Sequence, residues 1–386
     1  MIPQHRFLPR TPTQVAVLAV LAAFCWQATQ VYGAFGGNWT ALFYHGELFR
    51  LPPGEAATTY VFPKSAGYDG QAYRWIARDP VLPSDYSRYI DDPRLRYRRI
   101  LVPGLAHLLG AGQPGAIEVA YEIVILGFVG LGVYWTSAYL ATMGLTPVWG
   151  LVFLATPGSI GSLDRMLVDG ALTALFAGFL YATASGRTGL RDWVLVAAPL
   201  SRDTGVLLVA AAAAEAALAR DWRRAFRAAA CALPAACWSL FVSWHTAPSL
   251  VFRAFTWPGS GILSRALLVR QFSSPAMQIV GVTLDSLALA GYTISLLLAI
   301  RACWSGRRQA TGVALGMIAM LALMLGHRTH MSDPYGYGRP VSPLLLWAML
   351  NGIQKRSWLS IAAPLAVGLP VAAYGLQGVL AAFFRR

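Results

Sequence analysis

Long runs of apolar residues alternate along the chain with short polar segments. A transmembrane helix needs about 20 mainly apolar residues, and the clear candidates are 13–35, 117–142, 166–185, 229–247, 276–300, 310–326 and 358–383. Three further runs are short or irregular: 147–163, 193–219 and 341–352. The pattern predicts an all-α, polytopic integral membrane protein with about 10–11 transmembrane helices in one domain, residues 1–386.

Composition supports this class and argues against two kinds of site. The 386 residues are 56% hydrophobic and 12% charged, and the mean hydropathy is +0.51, whereas about a quarter of a soluble domain is charged. The run 13–35 exceeds a signal-peptide core in length and lacks a small-residue cleavage site, so we expect a retained first span. The four cysteines show no C-x-x-C spacing, which indicates neither a zinc site nor a disulfide framework.

The net charge of +14 comes from basic clusters between apolar runs. These clusters are Arg6 with Arg10, Arg187 with Arg191, the arginines of 220–227, the arginines of 301–308, and Lys355 with Arg356. Short basic loops stay in the cytoplasm. The pattern therefore predicts a cytoplasmic N-terminus and membrane lipids as neighbours, and it argues against a nucleic-acid partner.

The run 193–219 has basic clusters at both ends. A single crossing would place one cluster outside, whereas two short helices meeting at residues 201–205 would keep both inside. The alternative is one ordinary span in which Arg202 and Asp203 pair internally. The predicted topology leaves four polar segments outside, and we expect them to share one vestibule: 36–112, 201–205, 249–275 and 327–340.

The large extracytoplasmic loop, residues 36–112, is predicted to carry short amphipathic helices. One helix follows Asp69, a suitable N-cap, and ends at Asp79 before Pro80. Its apolar stripe would lie on the outer membrane surface. Asp69 is either only a cap or a functional acid of this loop.

An arginine-rich strip follows in the same loop, with four arginines in six positions: Arg94, Arg96, Arg98 and Arg99. Guanidinium groups match phosphate oxygens, so the strip is a candidate clamp for a lipid-linked phosphate. The alternative is general contact with anionic head groups.

Two motifs of this loop carry a resemblance to known proteins. They are Tyr68-Asp69-Gly70-Gln71 with Tyr73, Ile76, Ala77, Asp79 and Pro80, and Tyr97-Arg98-Arg99-Ile100-Leu101 with Pro103. Together they resemble the motif pair of a bacterial family of multi-span proteins of cell-surface glycopolymer formation, and more distantly the GT-C superfamily of membrane glycosyltransferases. The resemblance extends to 162–169 and 202–205. Ala72 replaces an aromatic residue of the relatives, and Asp203 replaces their Glu.

The resemblance implies an inverting hexosyl- or pentosyltransferase of the bacterial cytoplasmic (inner) membrane, with its active site facing the periplasm or exterior. It also implies a polyprenyl-phosphate-linked sugar donor and a glycan or lipid-linked acceptor. Such a transfer needs a base for the acceptor hydroxyl and cations for the departing phosphate. Asp69 is the predicted catalytic base. The predicted substrate-binding residues are Tyr68, Gln71, Tyr73, Asp79, Arg98, Arg99, Asp169, Arg202, Asp203, Tyr337 and Arg339.

The last outer segment is a second place for site residues. His327, His330 and Asp333 recur at every third position and are candidate ligands for a divalent cation, although Asp333-Pro334 disfavours a continuous helix. The alternatives are a sugar- or phosphate-lining loop that includes Arg339, and a plain solvated loop. The sequence indicates no certain cofactor, and a divalent cation is the candidate that stays open.

Two other functions fit a basic vestibule in a membrane protein. One is a transporter or flippase of lipid-linked sugars, although such proteins commonly have paired halves and no repeat is visible in this sequence. The other is a non-catalytic subunit of a surface polysaccharide assembly system.

Overall fold

The computed structural model describes residues 11–248, 255–268, 270–271 and 274–383. It is all-α and 75% helical, which confirms the predicted class. The α-helices of these residues are α1 (Pro12–Ala34), α2 (Asp69–Arg78), α3 (Pro93–Tyr97), α4 (Leu101–Leu109), α5 (Pro114–Thr142), α6 (Pro157–Arg165), α7 (Asp169–Ala184), α8 (Thr188–Ser201), α9 (Val206–Leu218), α10 (Trp222–Ala230), α11 (Leu233–His245), α12 (Ser260–Ala266), α13 (Pro275–Ser305), α14 (Ala310–Met324), α15 (Arg328–Met331), α16 (Pro334–Gly338), α17 (Ser342–Lys355) and α18 (Trp358–Phe383).

Short elements complete the fold. The 3₁₀ helices are Trp39–Phe43, Asp85–Tyr89, Pro147–Ala155 and Asp203–Gly205. Two strands, β1 (His45–Gly46) and β2 (Val61–Phe62), pair in parallel within segment 36–112, the predicted outer loop. The irregular run 147–163 is therefore a 3₁₀ helix followed by α6.

Five helical stretches of the described residues are long and apolar enough to cross a membrane: Pro12–Ala34, Pro114–Thr142, Trp222–His245, Met277–Ser305 and Trp358–Leu376. The chain is therefore a multi-pass membrane protein. Two of the predicted spans are shorter than expected, because α7 has 16 residues and α14 has 15. At 1.5 Å per residue these helices are about 22–24 Å long, against about 30 Å of hydrocarbon.

The run 193–219 is broken, as the charge pattern favoured. Helix α8 ends at Ser201, a 3₁₀ turn follows, and α9 begins at Val206. Arg191, near the start of α8, lies 3.1 Å from Glu215, near the end of α9. One straight helix would separate these residues by about 36 Å. The two helices therefore fold back on each other and bring both basic flanks to the same end of the molecule.

Helix α2 is not an amphipathic helix on the membrane surface, and that prediction is wrong. All residues from Gly70 to Ala77 are buried. The polar face is buried because Arg74 donates from Nε to Glu118 at 2.7 Å and Arg78 lies 2.5 Å from the same carboxylate. Glu55 contacts both arginines from the other side. These ion pairs fix the outer loop to the first turns of α5.

The folded-back pair α8 and α9 predicts a side-specific labelling pattern. In a variant that lacks the four native cysteines, we expect Thr188→Cys and Arg223→Cys to react with a membrane-impermeant maleimide from the cytoplasmic side only. Ser84→Cys, an exposed position of the outer loop, should react from the opposite side only. Labelling of Thr188→Cys and Arg223→Cys from opposite sides would contradict the arrangement.

Candidate functional site

Asp69 is the first residue of α2, and the N-cap is Tyr68, whose side chain makes no capping bond. The N-cap is therefore Tyr68, one residue before the predicted N-cap, Asp69. The Asp69 carboxylate instead meets two arginines that are distant in sequence. Its Oδ2 lies 2.8 Å from Nη1 of Arg96 and 3.2 Å from Nη1 of Arg339. Within the described residues Oδ1 accepts no hydrogen bond, and the Asp69 side chain as a whole is 20% exposed.

A second carboxylate shares Arg339 with Asp69. Nη1 of Arg339 lies 3.3 Å from Oδ2 of Asp169, and the other oxygen of Asp169 pairs with Arg202. Asp169 begins α7 and is 2% exposed. A buried anion of this kind is stable only when cations compensate it. The two arginines come from the α8–α9 turn and from the segment before α17.

A fifth ion pair, between Arg99 and Asp203, closes the cluster on the side of segment 36–112. Nε of Arg99 donates to Asp203 at 3.1 Å, and its Nη1 donates to the hydroxyl of Tyr73 at 2.8 Å. Segments 36–112, 201–205 and 327–340 therefore meet at one place, as predicted for these three, whereas a vestibule on the outer side stays a prediction. Of the fourth segment, residues 249–254, 269 and 272–273 lie outside the described residues.

The arginine-rich strip divides into two faces. Arg96 and Arg99 point to the carboxylate cluster, and Arg96 also binds Asp91 at 2.7 Å. Arg94 and Arg98 point the other way, to the end of α11, where Nη2 of Arg98 donates to Ser243 at 3.2 Å. Arg96, which the sequence analysis did not choose, therefore reaches the cluster in place of Arg98. Because α3 ends at Tyr97, the helical spacing rule does not extend to Arg98 and Arg99 and could not have assigned Arg96.

Arg165 is a site residue that the sequence analysis did not select. Its guanidinium carbon lies 4.0 Å from the ring centroid of Tyr335, 4.4 Å from that of Tyr68 and 4.7 Å from that of Tyr44. Among the described residues no carboxylate forms an ion pair with it. By contrast, Arg96, Arg99, Arg202 and Arg339 each contact an aspartate. Among the described residues, therefore, no carboxylate balances the charge of Arg165 by direct contact.

Backbone contact places Arg165 beside the cluster. A Cβ atom at Gly70 would lie 2.1 Å from the carbonyl oxygen of Arg165, so only glycine allows α2 and the end of α6 to approach this closely. The ring of Tyr68 also links the two sites, because Arg339 lies 4.7 Å from its centroid. Asp69 therefore provides a carboxylate, and Gly70 allows the close backbone contact that places Arg165 beside it.

Four predicted substrate-binding residues have other contacts. Gln71 joins loop segments, because its side chain donates to Ala66 and accepts from Gly46. Asp79 ends α2 and accepts from the backbone of Ser84 at 3.2 Å. Tyr337 is buried against Tyr292, with ring centroids 5.2 Å apart. The fourth residue, Arg98, donates to Ser243 at the end of α11. The structure brings together Tyr68, Asp69, Tyr73, Arg99, Asp169, Arg202, Asp203 and Arg339.

The candidate metal ligands do not converge. The carboxylate of Asp333 accepts from the backbone of Gly336 at 2.9 Å and caps α16. The rings of His327 and His330 are 6.5 Å apart between centroids. In the described ranges no group of three His, Cys, Asp or Glu side chains has the arrangement of a metal site.

Electrostatics set the protonation of two groups at the cluster. Burial alone would raise the pKa of Asp69, but Arg96, Arg339 and Arg99 outweigh burial and hold the pKa well below its usual range. Burial, and after it the charges of Arg202 and Arg339, lower the pKa of His330 to about 4. At neutral pH the cluster therefore presents an ionised carboxylate and a neutral imidazole.

Comparison of the chain with protein-family models, curated proteins and solved structures gave no significant match.

The depressed pKa of Asp69 predicts how stability depends on pH. An unfolded aspartate has a pKa of about 3.9, so ionised Asp69 stabilises the fold above about pH 4, and this contribution is lost as the pH falls toward the folded pKa. Asp69→Asn removes the titrating group. We expect the difference in free energy of unfolding between wild type and Asp69→Asn to be constant above about pH 5 and to shrink below about pH 4. This difference in free energy is measured by unfolding both proteins in detergent micelles. A difference that does not change with pH would contradict the ion pairs of Asp69.

Proposed function

We propose that the chain is a membrane glycosyltransferase that moves a sugar from a polyprenyl-phosphate donor to a glycan or lipid-linked acceptor. We place it in the bacterial cytoplasmic membrane with the cluster on the outer side. The observation that carries the proposal is a partly exposed, ionised Asp69 between arginines from separate segments, next to the uncompensated Arg165. This arrangement supplies a base and cations at one place. The resemblance of the two sequence motifs is the reason for proposing a sugar as the transferred group.

The proposed reaction is a single displacement. The oxygen of the acceptor hydroxyl forms a bond to the anomeric carbon of the donor. The bond from this carbon to the phosphate oxygen breaks, and the phosphate leaves with the electron pair. The hydroxyl proton passes to Oδ1 of Asp69, the oxygen that accepts no hydrogen bond from the described residues. Cations lower the barrier because negative charge grows on the leaving phosphate.

The ion pairs of Asp69 suggest how donor binding activates the base. Two arginines on Oδ2 make the free carboxylate a weak base. A donor phosphate that attracts Arg339 or Arg96 would weaken these contacts and make Asp69 more basic. The carboxylates of Asp69 and Asp169 thus hold the arginines in position until an anionic substrate arrives.

Arg165 is the residue we assign to the donor phosphate. Its guanidinium is held by three tyrosine rings, and stacking leaves the N–H groups at the edge of the plane free to donate. Binding a phosphate there requires no ion pair to break. The assignment also explains why a cation in this region lacks a carboxylate.

A cavity lined in part by Asp164, the residue before Arg165, is the site we assign to the lipid part of the donor. It has a volume of about 490 Å³ and lies between α1, the 3₁₀ helix Pro147–Ala155, α6 and α18. Its walls include Trp26, Leu163, Asp164 and Leu369. Because Arg165 follows Asp164, an amphiphilic phosphate could place its chain in the cavity and its head at the tyrosines.

The base assignment predicts a large loss of activity in Asp69→Asn. With purified protein in nanodiscs, radiolabelled polyprenyl-phosphate sugars and acceptor extract, we expect transfer to fall about 10²–10⁴-fold, as for removal of a general base. Asp85→Asn, an exposed change in the same loop, should retain wild-type transfer. Unchanged transfer by Asp69→Asn would contradict the assignment. Movement of lipid-linked sugar between leaflets without transfer would favour the flippase.

The phosphate assignment predicts a separate effect at Arg165. Arg165→Gln removes a charge-assisted hydrogen bond of about 1.5–3 kcal/mol, so we expect kcat/KM for the donor to fall about 10–100-fold. Most of this loss should appear as a higher KM for the donor, with the KM for the acceptor unchanged. The control is Arg187→Gln, which removes an arginine that also contacts a tyrosine, Tyr181. Equal effects of the two substitutions would contradict the assignment.

A further inference from the structure

A second cavity lies between the middle of α1 and the first turns of α5, apart from the ion-pair cluster. Its volume is about 260 Å³. Three aromatic side chains, Phe24, Trp39 and Phe43, form one part of its wall, and the carboxylates of Glu118 and Glu122 form another. The rings of Phe24 and Trp39 stack with centroids 5.9 Å apart. Aromatic faces combined with carboxylates are suited to a cation.

The two carboxylates of this cavity differ in their partners. Glu118 is neutralised by Arg74 and Arg78. Glu122 is 9% exposed, and its Oε2 accepts one long hydrogen bond of 3.4 Å from Gln27. Its Oε1 is buried without a hydrogen-bond partner, and none of the described residues forms an ion pair with it. A buried carboxyl group without a partner is costly, and a cationic donor bound at this oxygen would offset that cost.

The mouth of the cavity faces lipid. Phe24 is 45% exposed and Val119 is 63% exposed, and exposed apolar side chains on membrane-spanning helices contact lipid. Helix α5 has 29 residues and is about 43 Å long, about 13 Å more than the hydrocarbon core. Glu122 lies about 12 Å from the first residue of α5. The carboxylate is therefore within reach of a lipid head group at the end of α5 that joins the outer loop.

We propose that this cavity binds the primary ammonium group of a membrane lipid. Glu122 supplies the opposite charge and an acceptor for the N–H groups, and Phe24, Trp39 and Phe43 supply ring faces. A volume of about 260 Å³ is just below the range of small-molecule pockets, about 300–1,000 Å³. It accommodates the head-group end of a lipid, while the acyl chains remain in the bilayer. A quaternary ammonium group has no N–H to donate, so the site discriminates against it.

The binding experiment uses the full chain in mixed micelles with equal amounts of phosphatidylethanolamine, phosphatidylcholine and phosphatidylglycerol. Lipids retained after a detergent wash are measured by mass spectrometry. We expect wild type to retain phosphatidylethanolamine at least about fivefold over phosphatidylcholine, a difference of about 1 kcal/mol. Glu122→Gln should lose this preference, and Glu47→Gln, an exposed change in the loop, should keep it. Equal retention by wild type, or a preference that survives Glu122→Gln, would overturn the proposal.

A chemical test on the wild-type chain does not depend on the folding of a variant. A hydrophobic carbodiimide activates the carboxyl group of Glu122. An amine held against it then forms an amide bond, and the carbodiimide leaves as the urea. We expect the peptide that contains Glu122 to gain the mass of phosphatidylethanolamine minus water. Modification by the carbodiimide alone, without the lipid adduct, would overturn the proposal.

Discussion

The contact of Arg339 with two carboxylates is the interaction on which the site depends. Asp69 begins a helix of the outer loop, Asp169 begins α7, and one nitrogen of Arg339 lies 3.2 Å and 3.3 Å from them. Charged groups are expensive in a membrane domain unless they are paired. The ion pairs therefore require the three polar segments to meet, and the convergence follows from the cost of leaving any of these charges alone.

The free-energy cost of an unpaired charge also bears on the proposed binding of an anionic substrate at the cluster. Removing one partner of a buried ion pair leaves an uncompensated charge, whereas a bound phosphate replaces an aspartate without leaving an arginine alone. Arg165 differs because tyrosine rings, and no carboxylate, hold its guanidinium. The paired arginines and Arg165 therefore have separate roles in the proposed reaction. Arg96 and Arg339 hold Asp69 in position and then release it, and Arg165 binds the phosphate.

The parts of the fold that were predicted follow from rules that act on single segments. Hydropathy identified the long helices, and the basic clusters at 187–191 and 220–227 indicated the break between α8 and α9. The burial of α2 was not predictable, because Glu55 and Glu118, the partners of Arg74 and Arg78, come from other segments. For the same reason the sequence could not show which arginine of the strip reaches Asp69, or that the tyrosines around Arg165 come from three separate elements.

A double-mutant cycle between Asp69 and Arg339 tests the convergence most directly. The free energy of unfolding is measured in mixed micelles at pH 7 for Asp69→Asn, Arg339→Gln and the double variant. Residues in one ion-pair network couple by about 0.5–3 kcal/mol, and we expect at least about 1 kcal/mol for this pair. A parallel cycle with Arg98→Gln should be additive within about 0.5 kcal/mol, because Arg98 contacts Ser243. Additivity of Asp69→Asn and Arg339→Gln would contradict the account.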